Sequence, residues 1–246
     1  MRRIVLWLGL VLLATPQAHA EAPMSPRDYQ RLLGVGVDVD WAKTPRAMRY
    51  YSREQARAFK EIGFDHVRIR VREAATPELL DLYRRTLAEV RKTNPTRIVF
   101  VSPRLRSAPE YLHELDPLFE RDPYLMAEWH FYASGPSKHN PKKKWTTGTP
   151  EEKRRILDKI ALARAWQRAT GGSTWVGAWM PGNYNKGDDY AVSEQVAFAT
   201  FTSCALRAAD IPFAVNQANK FYDDEAGRWR EAMLPVVEAV VRPRCP

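Results

Sequence analysis

Residues 66–71 read His-Val-Arg-Ile-Arg-Val. Alternation puts Val67, Ile69 and Val71 on one face of a strand and His66, Arg68 and Arg70 on the other. Residues 34–40, Gly-Val-Gly-Val-Asp-Val-Asp, repeat the pattern, with Val35, Val37 and Val39 on one side and Gly34, Gly36, Asp38 and Asp40 on the other. Parallel strands packed between two layers of helices are normally apolar on both sides. One apolar and one polar face suits a barrel instead, with helices over the apolar outside and polar side chains lining the interior.

Outward from these two strands the pattern alternates strand and helix. Ser52 with Gln55 forms a capping box ahead of Ala56, Phe59 and Ile62, and Gly63 stops that helix. Thr76-Pro77-Glu78 opens a helix with Leu79, Tyr83, Leu87 and Val90 as its stripe, ended by Asn94-Pro95. Strands are expected at 97–101, 125–132, 174–179 and 212–216. Helices are expected at 109–115, from Thr149 (with Ile156, Ile160 and Ala163 inward), at 193–209 and at 225–241. Strict alternation predicts a TIM-type (β/α) barrel, shortened to about six readable strands. An open doubly wound sheet is the alternative. Against it, Gly34-Val35-Gly36 lies inside a strand and no G-x-G-x-x-G loop joins a strand to a helix.

The chain has 246 residues, 45% of them hydrophobic and 27% charged, which is ordinary globular composition. Arg2 and Arg3 precede the apolar run Ile4–Ala14, and Ala18-His19-Ala20 has the small-x-small form of a signal-peptidase site. Residues 1–20 are therefore expected to be a signal peptide, with 21–246 as a single exported domain, periplasmic or extracellular. An uncleaved membrane anchor is the alternative. Removing Arg2 and Arg3 leaves 36 basic against 29 acidic residues, so the formal charge falls from +9 to +7. That charge is dispersed apart from Lys142-Lys143-Lys144, unlike the stripe a nucleic-acid partner requires. No later segment is apolar enough to cross a membrane. Cys204 and Cys245 are permitted to pair in an oxidising compartment, tying the C-terminus to the preceding helix; two free thiols are the alternative.

Barrel sites lie at the C-terminal ends of the strands. The residues expected there include Asp38, Asp40, Arg70, Glu73, His130, Tyr132, Trp179 and Asn216. Carboxylates, guanidinium groups, aromatic rings and amides suit a polysaccharide or oligosaccharide partner, whose C–H faces stack on rings and whose hydroxyls need planar hydrogen-bonding groups. No His/Cys cluster at metal-ligand spacing, nucleophile elbow or phosphate loop is present, so no metal or cofactor is implied. Asp38 and Asp40 face Arg68 and Arg70 and read as an interior ion-pair network.

Gly63-Phe64-Asp65-His66-Val67-Arg68-Ile69 resembles the second-strand signature of glycoside hydrolase family 5, the cellulase-like group of eight-stranded barrels. Asn94 to Val101 resembles that family's entry into its fifth strand, His130-Phe131-Tyr132 its sixth-strand pair, Trp145 with Gly148-Thr149 the loop that follows, and Phe221-Tyr222-Asp223 the start of its last helix. The resemblance spans most of residues 21–246. It implies a glycosidase acting on O-glycosidic bonds of a β-linked polysaccharide. It also implies that Arg68 orients the nucleophile region and that His130 and Tyr132 contact sugar and carboxylate. For His130 the alternative is an interior histidine; for Trp145 and Trp179, proposed sugar platforms, it is packing.

The departures concern the catalytic carboxylates. Retaining glycosidases use two of them about 5 Å apart. Where the family carries its nucleophile Glu, this chain reads Gly177-Ala178-Trp179, with Ala178 at the key position. Its Asn-Glu-Pro acid/base motif is absent, and the third and fourth strands are missing between Val71 and Thr76. Glu73, just after that junction, and Glu128, on the strand face of His130, are the catalytic candidates, with an inverting geometry favoured. For Glu73 the alternative is a solvated loop acid. A catalytically inactive glycan-binding protein on the same barrel is the competing functional reading.

Overall fold

The computed structural model describes residues 22–39, 52–69, 79–130, 145, 147–182, 191–216 and 218–246. Among them, helix α1 (Pro26–Leu33) leads into β1 (Val35–Val39), α2 (Arg53–Ile62), β2 (His66–Ile69), α3 (Leu79–Thr93) and β3 (Val99–Val101). A short turn α4 (Arg104–Ser107), a 3-10 helix (Pro109–Leu115) and the single turn α5 (Asp116–Phe119) connect to β4 (Leu125–His130). The chain continues through α6 (Pro150–Thr170), β5 (Ser173–Trp179), α7 (Val192–Ala208) and β6 (Phe213–Val215). It ends with the hairpin β7 (Tyr222–Asp223) and β8 (Arg228–Trp229), followed by α8 (Leu234–Val241).

All pairings in the main sheet are parallel, and its strand order is β2-β1-β6-β5-β4-β3. That order is the chain order written around a circle and cut once. The first strand pairs with the last, which is how a barrel closes, and the cut falls between β2 and β3. A doubly wound sheet reverses its strand order in the middle; this one does not, so the doubly wound alternative is excluded. The shortened (β/α) barrel is the observed architecture, and among the described residues no pairing joins β2 to β3.

The two faces of each strand separate two apolar clusters. The larger holds Val35, Val37 and Val39 of β1, Trp129, Val176, Phe213 and Val215, together with Phe59, Ile156, Phe198 and Val240 of the covering helices. The smaller lies inside the curl and consists of Met126, Trp175 and Ala214, with Ile98, Phe100, Tyr29 and Leu33 against it. Helix α1 supplies Tyr29 and Leu33, so it plugs the N-terminal mouth. Ser25 caps it, accepting from Asp28 N at 3.2 Å, and Pro26 opens it. Buried Gln30 fixes it to the sheet, accepting from Thr174 N at 2.9 Å and donating to Asp210 O at 2.7 Å.

Two elements differ from the sequence expectation. Helix α1 is not apparent from apolar periodicity, since it meets the barrel along a narrow stripe. The expected helix at 225–241 is a hairpin followed by a shorter helix. Asp223 Oδ1 accepts from Glu225 N at 3.2 Å and Ala226 N at 3.1 Å, and Gly227 adopts a left-handed φ of 63°, so the chain turns back. Tyr222 and Trp229 then pack edge to face at 5.1 Å, and Pro235 starts α8. The candidate signal peptide, Asp40, Arg70, Glu73, Tyr132 and the lysine cluster lie outside the described residues.

Cys204 of α7 and Cys245 form a disulfide, across a sequence separation of 41. It fastens the segment after α8 to α7, the two helices covering β5, β6 and β1. Replacing both cysteines by Ser is expected to lower stability by about 2–4 kcal/mol through the freed unfolded chain. Urea unfolding checks this, and an unchanged midpoint would show that the bridge adds nothing.

Candidate functional site

Four polar side chains meet on the inner face, above the small apolar cluster. Asp38 and Arg68 are register partners on β1 and β2 and so share a face. Arg68 Nη1 donates to Asp38 Oδ2 at 3.3 Å, and its Nη2 lies 2.7 Å from Glu128 Oε1. Glu128 Oε1 also accepts from His130 Nε2 at 2.7 Å. The side chains of Asp38, Arg68, Glu128 and His130 are 0, 19, 14 and 9% exposed. In sheet order β1, β6 and β5 stand between β2 and β4. The Arg68–Glu128 contact therefore crosses the interior rather than running along the sheet.

Two glycines make room for this arrangement. A Cβ at Gly177 would stand 2.6 Å from Glu128 Cγ and closer still to its carboxyl, so only glycine leaves Glu128 its place over β5. One layer below, a Cβ at Gly36 would overlap the His66 ring. His66 donates from Nδ1 to Leu33 O at 2.7 Å, and burial holds its imidazole below its ordinary value of 6.5. It is a neutral interior residue beside Trp175, 5.6 Å between ring centres.

Charge around Glu128 decides its chemistry. Burial pushes its carboxyl up, but the His130 hydrogen bond and the Arg68 charge together outweigh burial and hold it below the ordinary 4.5. Glu128 is accordingly an ionised acceptor. A general acid needs the opposite tuning, a raised pKa. Asp38 pairs with Arg68 at 3.3 Å, as the ion-pair reading of that residue expects.

The remaining expected site residues are dispersed. Ala178 is the register partner of His130, so the two share the inner face at the strand ends. The pairing of β4 with β5 shifts between Trp129 and His130, and that of β5 with β6 shifts between Val176 and Trp179. This irregularity turns Trp179 to the outer face, where it is fully buried against Phe198 at 5.9 Å and Phe213 at 5.8 Å. Trp145 is 1% exposed and packs on Phe198 at 5.0 Å and Phe201 at 5.8 Å. Neither indole offers a face to a sugar, which corrects the platform reading of both in favour of packing. Buried Asn216 follows β6 and donates its backbone N–H to Trp179 O at 2.7 Å. Glu73 and Tyr132 lie outside the described residues. Among the described residues no group of three or more His, Cys, Asp or Glu could hold a metal ion.

The structure brings together Arg68, Glu128 and His130, which the sequence placed on inward strand faces; the role of Gly177 was not read from the sequence. A glycine two residues before the end of a strand, beside a strand carrying an inward Glu, is the signal that could have found it.

No family model and no curated protein matches the sequence. Solved structures do. A hyperthermophilic endo-β-1,4-glucanase in complex with substrate superposes with a TM-score of 0.69 at 17% identity, covering 89% of this chain and 99% of its own. The cellulose synthase subunit Z from Clostridioides difficile gives 0.63 at 13%, covering 85% and 100%. A broad-specificity endoglucanase of glycoside hydrolase family 5 from Clostridium cellulovorans gives 0.58 at 12%, covering 89% and 96%. The chain thus has the fold of the family 5 endoglucanases.

Two outcomes are expected. Gly177→Ala should cost about 1–3 kcal/mol by overpacking the interior, measured by urea unfolding; a neutral effect would mean that Glu128 does not rest on this backbone. The carboxyl of Glu128 is lowered on folding, so its contribution is present above its unfolded value of 4.5 and is lost as pH falls through the folded value. Wild-type stability should therefore fall more steeply below about pH 4.5 than that of Glu128→Gln. Parallel curves would exclude the coupling.

Proposed function

We propose that the protein binds a β-linked polysaccharide in the cleft at the C-terminal ends of its strands, and that this cellulase-like barrel has lost two-carboxylate hydrolysis. The observation that carries the reading is the state of the inner-face carboxylates. Asp38 and Glu128 both lean on one guanidinium, and the strand-end position beside His130 is occupied by Ala178. Retaining hydrolysis needs an ionised nucleophile and a separate protonated acid about 5 Å apart; Glu128 is ionised, but among the described residues the inner face offers no second carboxyl away from Arg68 to serve as the acid. Arg68, Glu128 and His130 form a polar floor suited to sugar hydroxyls. The fold shared with endoglucanases supports a glycan as the ligand class, by analogy of fold.

Hydrolysis is the second reading, and one observation favours it. Glu128 is an inward carboxylate hydrogen-bonded to a histidine near the strand ends, where barrel enzymes keep their chemistry. It would need Glu73 as the opposing group, in an inverting geometry with wider separation.

We further propose export. Arg2-Arg3, the apolar run that follows and Ala18-His19-Ala20 support a cleaved leader, and the Cys204–Cys245 disulfide is in keeping with an oxidising compartment.

Calorimetric titration with cellotetraose and a soluble β-glucan, run beside an assay for new reducing ends, separates the two readings. Binding without turnover, weakened in His130→Ala, is expected. Turnover abolished by Glu128→Gln or Glu73→Gln would establish the hydrolase instead. Neither binding nor turnover would sink both.

A further inference from the structure

On the N-terminal face, opposite the strand ends that carry the cleft, α1, the end of α6 and the start of β5 enclose a cavity of about 290 Å³. Arg27, Arg164 and Arg168 line it, with Asp210 as the single acidic residue. Barrel enzymes keep their chemistry at the other end, so this cavity is not part of the cleft. Its floor is rigid. Gln30 is buried and holds Thr174 N and Asp210 O, and Gln167 donates to Thr174 Oγ1 at 2.9 Å. Arg164 lies half-buried on α6, and its Nη1 donates to Ala209 O at 2.8 Å, which fixes the guanidinium at the cavity wall. Arg27 and Arg168 are exposed, and none of the three arginines makes an ion pair with a carboxylate among the described residues.

Three arginines line this cavity, and its single acid leaves a surplus of positive charge. Planar guanidinium forks match carboxylate and sulfate oxygens two at a time. A structural role would have supplied carboxylate partners from the surrounding elements, as Asp122 does for Arg91 at 2.8 Å elsewhere in this fold. The acid and amides contribute a second kind of chemistry, since the Asp210 carboxylate is an acceptor suited to hydroxyl groups. The volume of about 290 Å³ lies just below the range of roughly 300–1,000 Å³ typical of small-ligand sites. It fits a compact unit rather than an extended chain.

We propose that this cavity is a binding site for an anionic saccharide unit, a sugar carrying a carboxylate or a sulfate, with Arg27, Arg164 and Arg168 holding the anionic group and Asp210 a hydroxyl. The site is independent of the strand-end cleft and of whether that cleft hydrolyses its ligand.

Titration of the full-length mature protein tests it, with galacturonate, sulfated glucose, inorganic sulfate and neutral glucose as probes. The anionic sugars should bind more tightly than glucose, and binding should weaken as salt is raised. Arg27→Gln with Arg168→Gln should lower that affinity by about tenfold or more, as expected for lost charged hydrogen bonds. Both arginines are exposed, so the thermal midpoint should be unchanged and a failed variant recognisable. Cellotetraose binding in the cleft should not respond. Equal affinity in wild type and double variant, or no preference over glucose, would overturn the site. Inorganic sulfate binding as tightly as the anionic sugars would overturn the saccharide assignment.

Discussion

The Arg68 guanidinium holds together what the sheet leaves open. Hydrogen bonding runs continuously from β2 round to β3 through β1, β6, β5 and β4, and among the described residues no ladder joins β2 to β3. Arg68 reaches from β2 across the interior to Glu128 on β4, with its other nitrogen on Asp38. A fixed-length polar bridge thereby sets how tightly the sheet curls. Burying such a group is costly unless its hydrogen-bonding positions are filled. Here Asp38 and Glu128 take its two terminal nitrogens, and His130 satisfies Glu128 in turn.

The consequences run in both directions from that bridge. Below it the interior needs few apolar groups, and Met126, Trp175 and Ala214 with the plug residues of α1 are enough to exclude water from the base. Outside, the larger cluster supplies most of the apolar burial, and the disulfide tethers the chain end to α7. The division explains the strand sequences. Valines at 35, 37 and 39 stabilise the outer layer through burial, while the glycines at 36 and 177 exist for interior clearance. Polar and small residues on the inner face are therefore a single design feature of the curl.

Much of this was legible in the alternation of residues 34–40 and 66–71, because a period of two survives wherever a strand is regular. The Asp38–Arg68 pair and the shared face of Glu128 and His130 follow from that period alone. Legibility failed where the period was interrupted. The shifted register around Gly177 and Ala178 rotates Trp179 into the outer core, which no residue-by-residue alternation through 174–179 can anticipate. Trp145 was misread for another reason: its burial depends on Phe198 and Phe201, more than fifty positions later. The turn at Asp223–Gly227 was overlooked because a run of helix-forming residues outweighed one Asp and one Gly. The cavity that Arg27 lines with Arg164 and Arg168 likewise joins an N-terminal helix to α6 and has no local signature.

The same bridge that sets the curl also constrains what the cleft can do. Two carboxylates perform hydrolysis only if their environments drive their pKa values apart, one protonated and one ionised. A guanidinium placed beside Glu128 does the reverse, since it favours the charged form of that carboxyl. The more firmly Arg68 closes the interior, the less Glu128 can serve as an acid. Any acid chemistry at the cleft has to come from a group that Arg68 does not touch, and the inner-face position best placed to supply one on β5 beside His130 carries only the methyl group of Ala178.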